Sequence, residues 1–233
     1  MRGDPAAGGP ATRIGQFNSA TSRARWTVGL LVGGICLDVV AIMSGLLEVS
    51  LVNRALSGEA ITASEAASND SRQQLIGILQ IVVYIATAAT FLMWLSRSYK
   101  NLSALSSSPS TYAPGWAIGA FFVPFLNLVR PFQIVRELWH RSDSSSTVAT
   151  VWTKSQKPPT PPIVGWWWGV WLVAGVLGQA VWRFSWRATT LQEILTAGYI
   201  AIATDSAGIV AAALAISLVR SIDARQAASH RRL

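Results

Sequence analysis

The apolar positions of this sequence are gathered into continuous runs, without the short stripes of soluble amphipathic helices. Four runs approach the length of a membrane span: about 26–47, 75–95, 164–186 and 197–219, the third with a polar outer end. A helix rises about 1.5 Å per residue, so some 20 residues cross a hydrocarbon layer roughly 30 Å thick. A backbone in lipid must satisfy its own hydrogen bonds, and the pattern therefore predicts an all-α polytopic membrane protein with four transmembrane helices.

A fifth apolar segment, Trp116 to Val129, breaks the pattern. It covers only about 14 residues and contains Pro124, which suits a re-entrant or interfacial piece better than a crossing. Pro131 then fits the first turn of a helix to His140, with Phe132, Val135 and Trp139 on one face between Arg130, Arg136 and Arg141. The expectation for 116–140 is a helical hairpin: an apolar dip turning near Pro124 to Asn127, where Asn127 could satisfy a freed backbone group, and then an amphipathic helix on the membrane surface.

Between these elements the chain changes character. Residues 1–22 are rich in Gly, Ala, Pro, Ser and Thr without hydrophobic period and read as a disordered tail. The membrane domain is expected over 23–226. Residues 142–162, with a serine run and KPPTPP, read as a linker stiffened by polyproline geometry, and 227–233 as a short basic tail. The first run begins after Arg23 and Arg25 and ends at Glu48 without a small-residue cleavage site, which fits an uncleaved signal anchor.

Charge sets the expected orientation. With the N-terminus in the cytoplasm, Arg2, Arg13, Arg23 and Arg25, the segment from Arg97 to Lys157, and the C-terminal arginines all fall inside, leaving only Arg54, Arg72, Arg183 and Arg187 outside. Trp26, Trp94 and the Trp166, Trp167, Trp168 cluster mark the inner headgroup level, and Trp182 and Trp186 the outer one. The predicted location is the plasma membrane, multi-pass, with both termini cytoplasmic. The formal charge of +8 is then a topology signal and not a nucleic-acid footprint.

Composition narrows the chemistry. Only 13% of residues are charged against 51% hydrophobic, too few charges for a soluble surface of this size. Cys36 is the single cysteine, and His140 and His230 have no His or Cys neighbours at ligand spacing, so no metal site, cofactor or catalytic set is expected. No phosphate loop, GxSxG elbow or HExxH sequence is present, and the YD and GxGD contexts of an intramembrane aspartyl protease are missing. The chain is expected not to be an enzyme.

Two carboxylates lie inside predicted spans, at a cost of about 2.5 to 3.5 kcal/mol each at a helix centre. Asp38 shares a face with Gly34, Ala41 and Gly45, and Asp205 with Ala201, Gly208 and Ala212, so both should point into the bundle. Their depths match, and Gln80 and Gln179 fall near the same layer. The candidate intramembrane polar site is Asp38, Gln80, Gln179 and Asp205, as a proton or cation site or as hydrogen bonds that fix packing; Asp205 could instead pair with Arg183. GLLVG at Gly29 to Gly33 and GWWWG at Gly165 to Gly169 match a small-xxx-small pattern that can mark oligomer contacts.

The stretch FLMWLSRSYKNL, with Trp94, Arg97, Asn101 and Leu102, and YAPGWAIGAFFVPFLNLVRPFQIVRELW, with Pro114, Gly115, Trp116, Pro124, Asn127, Pro131, Glu137 and Trp139, carry a resemblance. Together with the tryptophan cluster and LAISLVRSIDARQ, they are similar to the bacterial membrane family known as domain of unknown function 4328 (DUF4328), over roughly 75–226. The resemblance implies a multi-span membrane protein, common in actinobacteria, with no established activity and no catalytic residues to carry over. Two functional expectations follow. One is a non-enzymatic scaffold or interaction module with a basic, Trp-rich cytoplasmic platform of Arg97, Trp116, Pro124, Asn127, Arg130, Arg136, Trp139 and Arg141, offered to anionic lipid headgroups, a protein partner or a second copy. The other is a small transporter or channel centred on Asp38 and Asp205.

Overall fold

The computed structural model describes residues 16–105, 110–142 and 159–232. Among the described residues six helices follow in order, α1 (Thr21–Leu56), α2 (Ala63–Leu105), α3 (Trp116–Gly119), α4 (Arg130–Arg141), α5 (Pro162–Ser185) and α6 (Leu191–His230), with a 3-10 turn at Leu126–Leu128 before α4. Four of them, α1, α2, α5 and α6, are long and apolar enough to cross a membrane. Local signals mark several of the boundaries. Gly58 takes the positive φ of 87° that turns the chain after α1, and Thr62 and Glu65 cap each other's backbone before α2. Thr190 and Glu193 form the same reciprocal cap on α6, and Pro162 opens α5 where its missing N–H costs nothing.

The long helices run up and down, so the starts of α1 and α5 and the ends of α2 and α6 share one end with α3 and α4. This is the basic end; the α1–α2 and α5–α6 turns form the hairpin end. α1 packs between α2 and α6, and α5 packs on the other side of α6. Close approach at the α1–α6 seam depends on small residues. A Cβ at Gly45 would lie 3.1 Å from Ile202, and one at Gly198 would lie 3.4 Å from Val49. Gly29, Gly33, Gly165 and Gly169 have nothing within 4 Å of an added Cβ, so among the described residues these four glycines permit no close helix approach.

Within the spans little is buried: 6% of the most apolar window of α2, and 17% of that of α5. Lipid is the solvent of those faces, and the multi-pass membrane assignment follows. The core lies at the basic end, because α2 and α6 do not stop where their apolar runs stop. They continue to Leu105 and His230 and give α4 a protein surface to pack on. Trp94, Leu95, Tyr99 and Leu102 of α2, Ile134, Val135 and Leu138 of α4, Trp167 and Trp168 of α5, and Leu218 and Ile222 of α6 form one buried cluster.

This core changes three expectations. The apolar face of α4 is covered by α2, α5 and α6 and so is buried in protein, where its apolar area leaves water as fully as it would in lipid. The 1–22 tail is not uniformly without structure: residues 1–15 lie outside the described residues, but Phe17 stacks on His230 with ring centroids 4.1 Å apart, and Asn18 exchanges hydrogen bonds with Asn101. The segment from 227 is the last turn of α6 up to His230. Most of the linker, residues 143–158, lies outside the described residues; its end is tied to α4 by His140 to the Pro159 carbonyl and Arg136 to the Thr160 hydroxyl.

Gly45→Val, which drives side-chain atoms into Ile202, is expected to lower the stability of the purified protein in detergent by about 1–3 kcal/mol. Gly29→Ala, facing open space, should leave the thermal midpoint unchanged or slightly raised. Equal midpoints for Gly45→Val and the parent chain would show that the α1–α6 seam is not tight.

Candidate functional site

Two polar constellations stand out, one inside the membrane and one under the basic end. In the membrane, α1 carries Asp38, α2 carries Gln80 and α6 carries Asp205 into a common layer. The Gln80 side-chain nitrogen donates to Asp38 Oδ1 at 3.2 Å and to Asp205 Oδ1 at 3.0 Å. An amide NH2 has two protons, so one Gln serves both carboxylates. Gly208, one turn beyond Asp205, leaves the space that Asp38 uses: a Cβ there would lie 3.1 Å from Asp38 Oδ2.

Gln179 does not join them. It is exposed on α5, which packs chiefly on α6. Equal depth was satisfied but direction around the helix was not. Arg183 is exposed and forms no ion pair with Asp205; the Gln80 amide occupies that role. Among the described residues no group of three His, Cys, Asp or Glu side chains is placed to hold a metal ion.

Under the basic end, Glu137 of α4 organises the second constellation. Its Oε1 accepts from Arg141 at 2.9 Å and from the Thr111 backbone N–H at 2.8 Å, and its Oε2 accepts from the Tyr99 hydroxyl at 2.8 Å. The Tyr99 oxygen in turn accepts the Tyr112 N–H at 3.2 Å. Burial, and then the adjacent Glu137 carboxylate, push the Tyr99 hydroxyl well above the ordinary phenol range, so it remains a donor. Gln226 of α6 adds a buried cross-tie: it donates to the Ser98 carbonyl and the Ser142 hydroxyl and accepts from Asn101. Burial lowers the His140 pKa below its ordinary value, which keeps the ring neutral against the Pro159 carbonyl.

The expected platform residues are divided by this network. Arg141 is buried in its pair with Glu137, with 1% of its side chain exposed, and is no part of a surface. Arg130 lies over the Tyr112 ring at 4.7 Å, Arg136 over Phe132 at 5.8 Å, and Trp139 is half-buried beneath Arg225 at 4.1 Å. Arg97 is half-buried near the end of α2.

The dip itself is a series of tight turns. Asn127 N–H bonds back to the Val123 carbonyl at 2.9 Å, and Leu128 N–H to Phe125 at 3.2 Å. The Trp168 indole N–H, and not Asn127, meets the freed Leu128 carbonyl at 3.1 Å, and Asn127 Oδ1 has no hydrogen-bond partner among the described residues. Trp168 lies in the second turn of α5, and Phe91 of α2 packs on Phe121, so the dip reaches the height of both spans. Phe125 holds the left-handed φ of 62°, a strained conformation for an aromatic residue, and is 85% exposed. Trp116, Phe122, Pro124, Leu128 and Val129 are exposed around it.

Sequence reasoning named neither Tyr99 nor Gln226 as a site residue. The i, i+4 spacing of Glu137 and Arg141 was a usable signal. Nothing local marked Gln226, whose partners are 84 to 128 residues away.

Four apolar helices of membrane-spanning length, closed at one end by a cap of short turns and α4, define a class of multi-pass α-helical membrane protein. Within that class, the family model described as a domain of unknown function (DUF4328) matches residues 57–224, most of the sequence, and the chain belongs to that family. The match includes Gln80, the Glu137 network and Asp205, while α1 and its Asp38 precede it. No curated protein and no solved structure matches the chain.

Gln80→Leu strips the donor from both aspartates and is expected to destabilise the protein by about 2 kcal/mol. Gln179→Leu should stay within about 0.5 kcal/mol of the parent. Chemical unfolding of the two variants in the same detergent checks this, and equal values would remove the bridge as a structural element.

Proposed function

We propose that this chain is a non-catalytic membrane module of the plasma membrane whose cytoplasmic, basic end is a rigid platform seated in the headgroup layer of an anionic leaflet. The observation that carries the reading is the exposed ridge of Phe122, Phe125, Leu128 and Val129, held out by a buried core at the height of Phe91 and Trp168. A strained, 85% exposed phenylalanine is a cost with no return in water; in the interfacial layer its ring transfers out of water. Exposed Arg25, Lys100 and Arg220 surround the same end, with Arg130 at the base of the ridge. Each basic group at that height contributes on the order of 1 kcal/mol toward anionic lipid. The orientation rests on the distribution of basic residues along the chain. The same platform is available to a protein partner at the membrane surface.

A second reading, a small transporter or channel, draws support from the Gln80-bridged aspartates. Against it, two open cavities, one lined by Leu47, Ser64 and Arg72 and the other by Thr21, Arg25 and Trp26, lie at the two ends of the bundle and not at Asp38 or Asp205.

The test uses the full chain in liposomes of phosphatidylcholine with a small fraction of spin-labelled lipid. Spin-labelled phosphatidylglycerol should be motionally restricted by the protein about fivefold more than phosphatidylcholine at low salt. The preference should shrink at high salt and in an Arg25→Gln, Lys100→Gln, Arg130→Gln, Arg220→Gln variant. No preference between the two lipids contradicts the platform. Proton or sodium flux that Asp38→Asn abolishes favours the second reading.

A further inference from the structure

At the hairpin end, between α1 and α2, an open cavity of about 340 Å³ combines one guanidinium, one carboxylate and an apolar wall. Arg72 is held firmly there. Its Nε donates to the Ser44 hydroxyl at 2.8 Å, and one terminal nitrogen donates to Asn69 Oδ1 at 2.7 Å and to the Ser44 carbonyl at 3.5 Å. Ser44 and Asn69 are both buried and both neutral. Among the described residues no carboxylate forms an ion pair with Arg72; the carboxylates paired to arginine at this end, Glu59 and Glu65, are on Arg54. Arg72 is therefore a pre-positioned cation in the cavity lining, with the nearby Glu48 carboxylate attracted to it but held by Gln73.

Glu65 stands two helical turns before Arg72 on the same face of α2, about 10 Å along the axis. Ser68 lies between them, and Leu47 and Leu51 of α1 make the opposite wall. The position relative to the bilayer is distinctive. Leu47 is the last residue of the first apolar run, and Arg72 lies one turn before Leu75, where the second begins. The cavity thus straddles the boundary between hydrocarbon and headgroups, the level of a lipid phosphate.

We infer that this cavity binds the headgroup of a zwitterionic phospholipid, an aminoethyl phosphodiester, with the phosphate on Arg72, the ammonium toward Glu65 and an acyl chain along Leu47. An anionic headgroup fits less well, because the hairpin segment carries Glu48, Glu59, Glu65 and Asp70 against only Arg54 and Arg72. The excess negative charge repels a net anion, while a headgroup bearing both signs satisfies Arg72 and gains from the carboxylates. With Nε and one terminal nitrogen taken up by Ser44 and Asn69, the other terminal nitrogen of Arg72 is left to donate to a phosphate oxygen, and charge-assisted hydrogen bonds of this type are the stronger ones. This site goes beyond the platform reading: it lies at the other end of the bundle and holds whichever way the chain is oriented.

Native mass spectrometry of the full chain in detergent tests it, with added phosphatidylethanolamine, phosphatidylglycerol of the same acyl chains, or soluble phosphoethanolamine. Ser68→Trp fills the cavity and leaves the Arg72 hydrogen bonds in place, so the readout is the lipid retention that Ser68→Trp removes. That difference excludes lipid held at the basic end. One phosphatidylethanolamine should be lost per chain, against about tenfold less phosphatidylglycerol. Arg72→Gln and Glu65→Gln should each lower retention of phosphatidylethanolamine about tenfold, with thermal midpoints recorded to separate loss of the site from loss of the fold. Equal loss of the two lipids, no loss in Ser68→Trp, or soluble phosphoethanolamine bound as well as the lipid would each overturn the assignment.

Discussion

The basic end depends on one buried carboxylate. Glu137 receives a guanidinium, a phenol and a backbone amide, and through Tyr99 it also reaches a second amide. These contacts join α2, the chain entering α3, and α4 in one network with little exposure to water. A buried ion pair stabilises little against an apolar replacement, but breaking one partner away is expensive, about 3–5 kcal/mol. The network therefore acts chiefly as specification: it admits one arrangement of the dip and of α4 over the core, and that arrangement turns Phe125 outward.

The membrane supplies the complementary constraint. A helix in hydrocarbon satisfies its own backbone, but a broken segment at that depth must find partners in protein. The dip does so with short-range turns and the Trp168 indole. Further along the spans the faces are left to lipid, and the helices are tied by small-residue contacts at the α1–α6 seam and by one amide shared between two aspartates. The molecule is protein-like at the basic end and lipid-solvated above it. Its two ends also differ in charge, basic around the dip and acid-rich around the α1–α2 turn.

Much of the fold was legible in the sequence where the signal was length and composition. The four spans and the Pro124 break follow from how far an apolar run extends and where a donor is missing. The Asp38, Gln80 and Asp205 layer was also legible, since depth along a helix is simple arithmetic and small-residue faces give direction. Gln179 shows the limit of that arithmetic: it has the right depth, but α5 turns it away from the layer. The apolar face of α4 looks the same in sequence whether lipid or protein covers it. Only the continuation of α2 and α6 beyond their apolar runs decides the matter, and polar residues do not announce whether a helix continues. Contacts such as Phe17 with His230 join distant parts of the chain and leave no local trace.

The proposed function places the Phe122 to Val129 ridge in the interfacial layer on a rigid base. Power-saturation spin resonance tests it most directly, with a nitroxide at Phe125→Cys in a Cys36→Ser chain reconstituted in phospholipid. A ridge in the interfacial layer leaves the label accessible to dissolved oxygen and shielded from a water-soluble nickel chelate, at a depth shallower than a label at Gln179→Cys. A label at position 125 that the nickel chelate reaches freely would place the ridge in water and contradict the account.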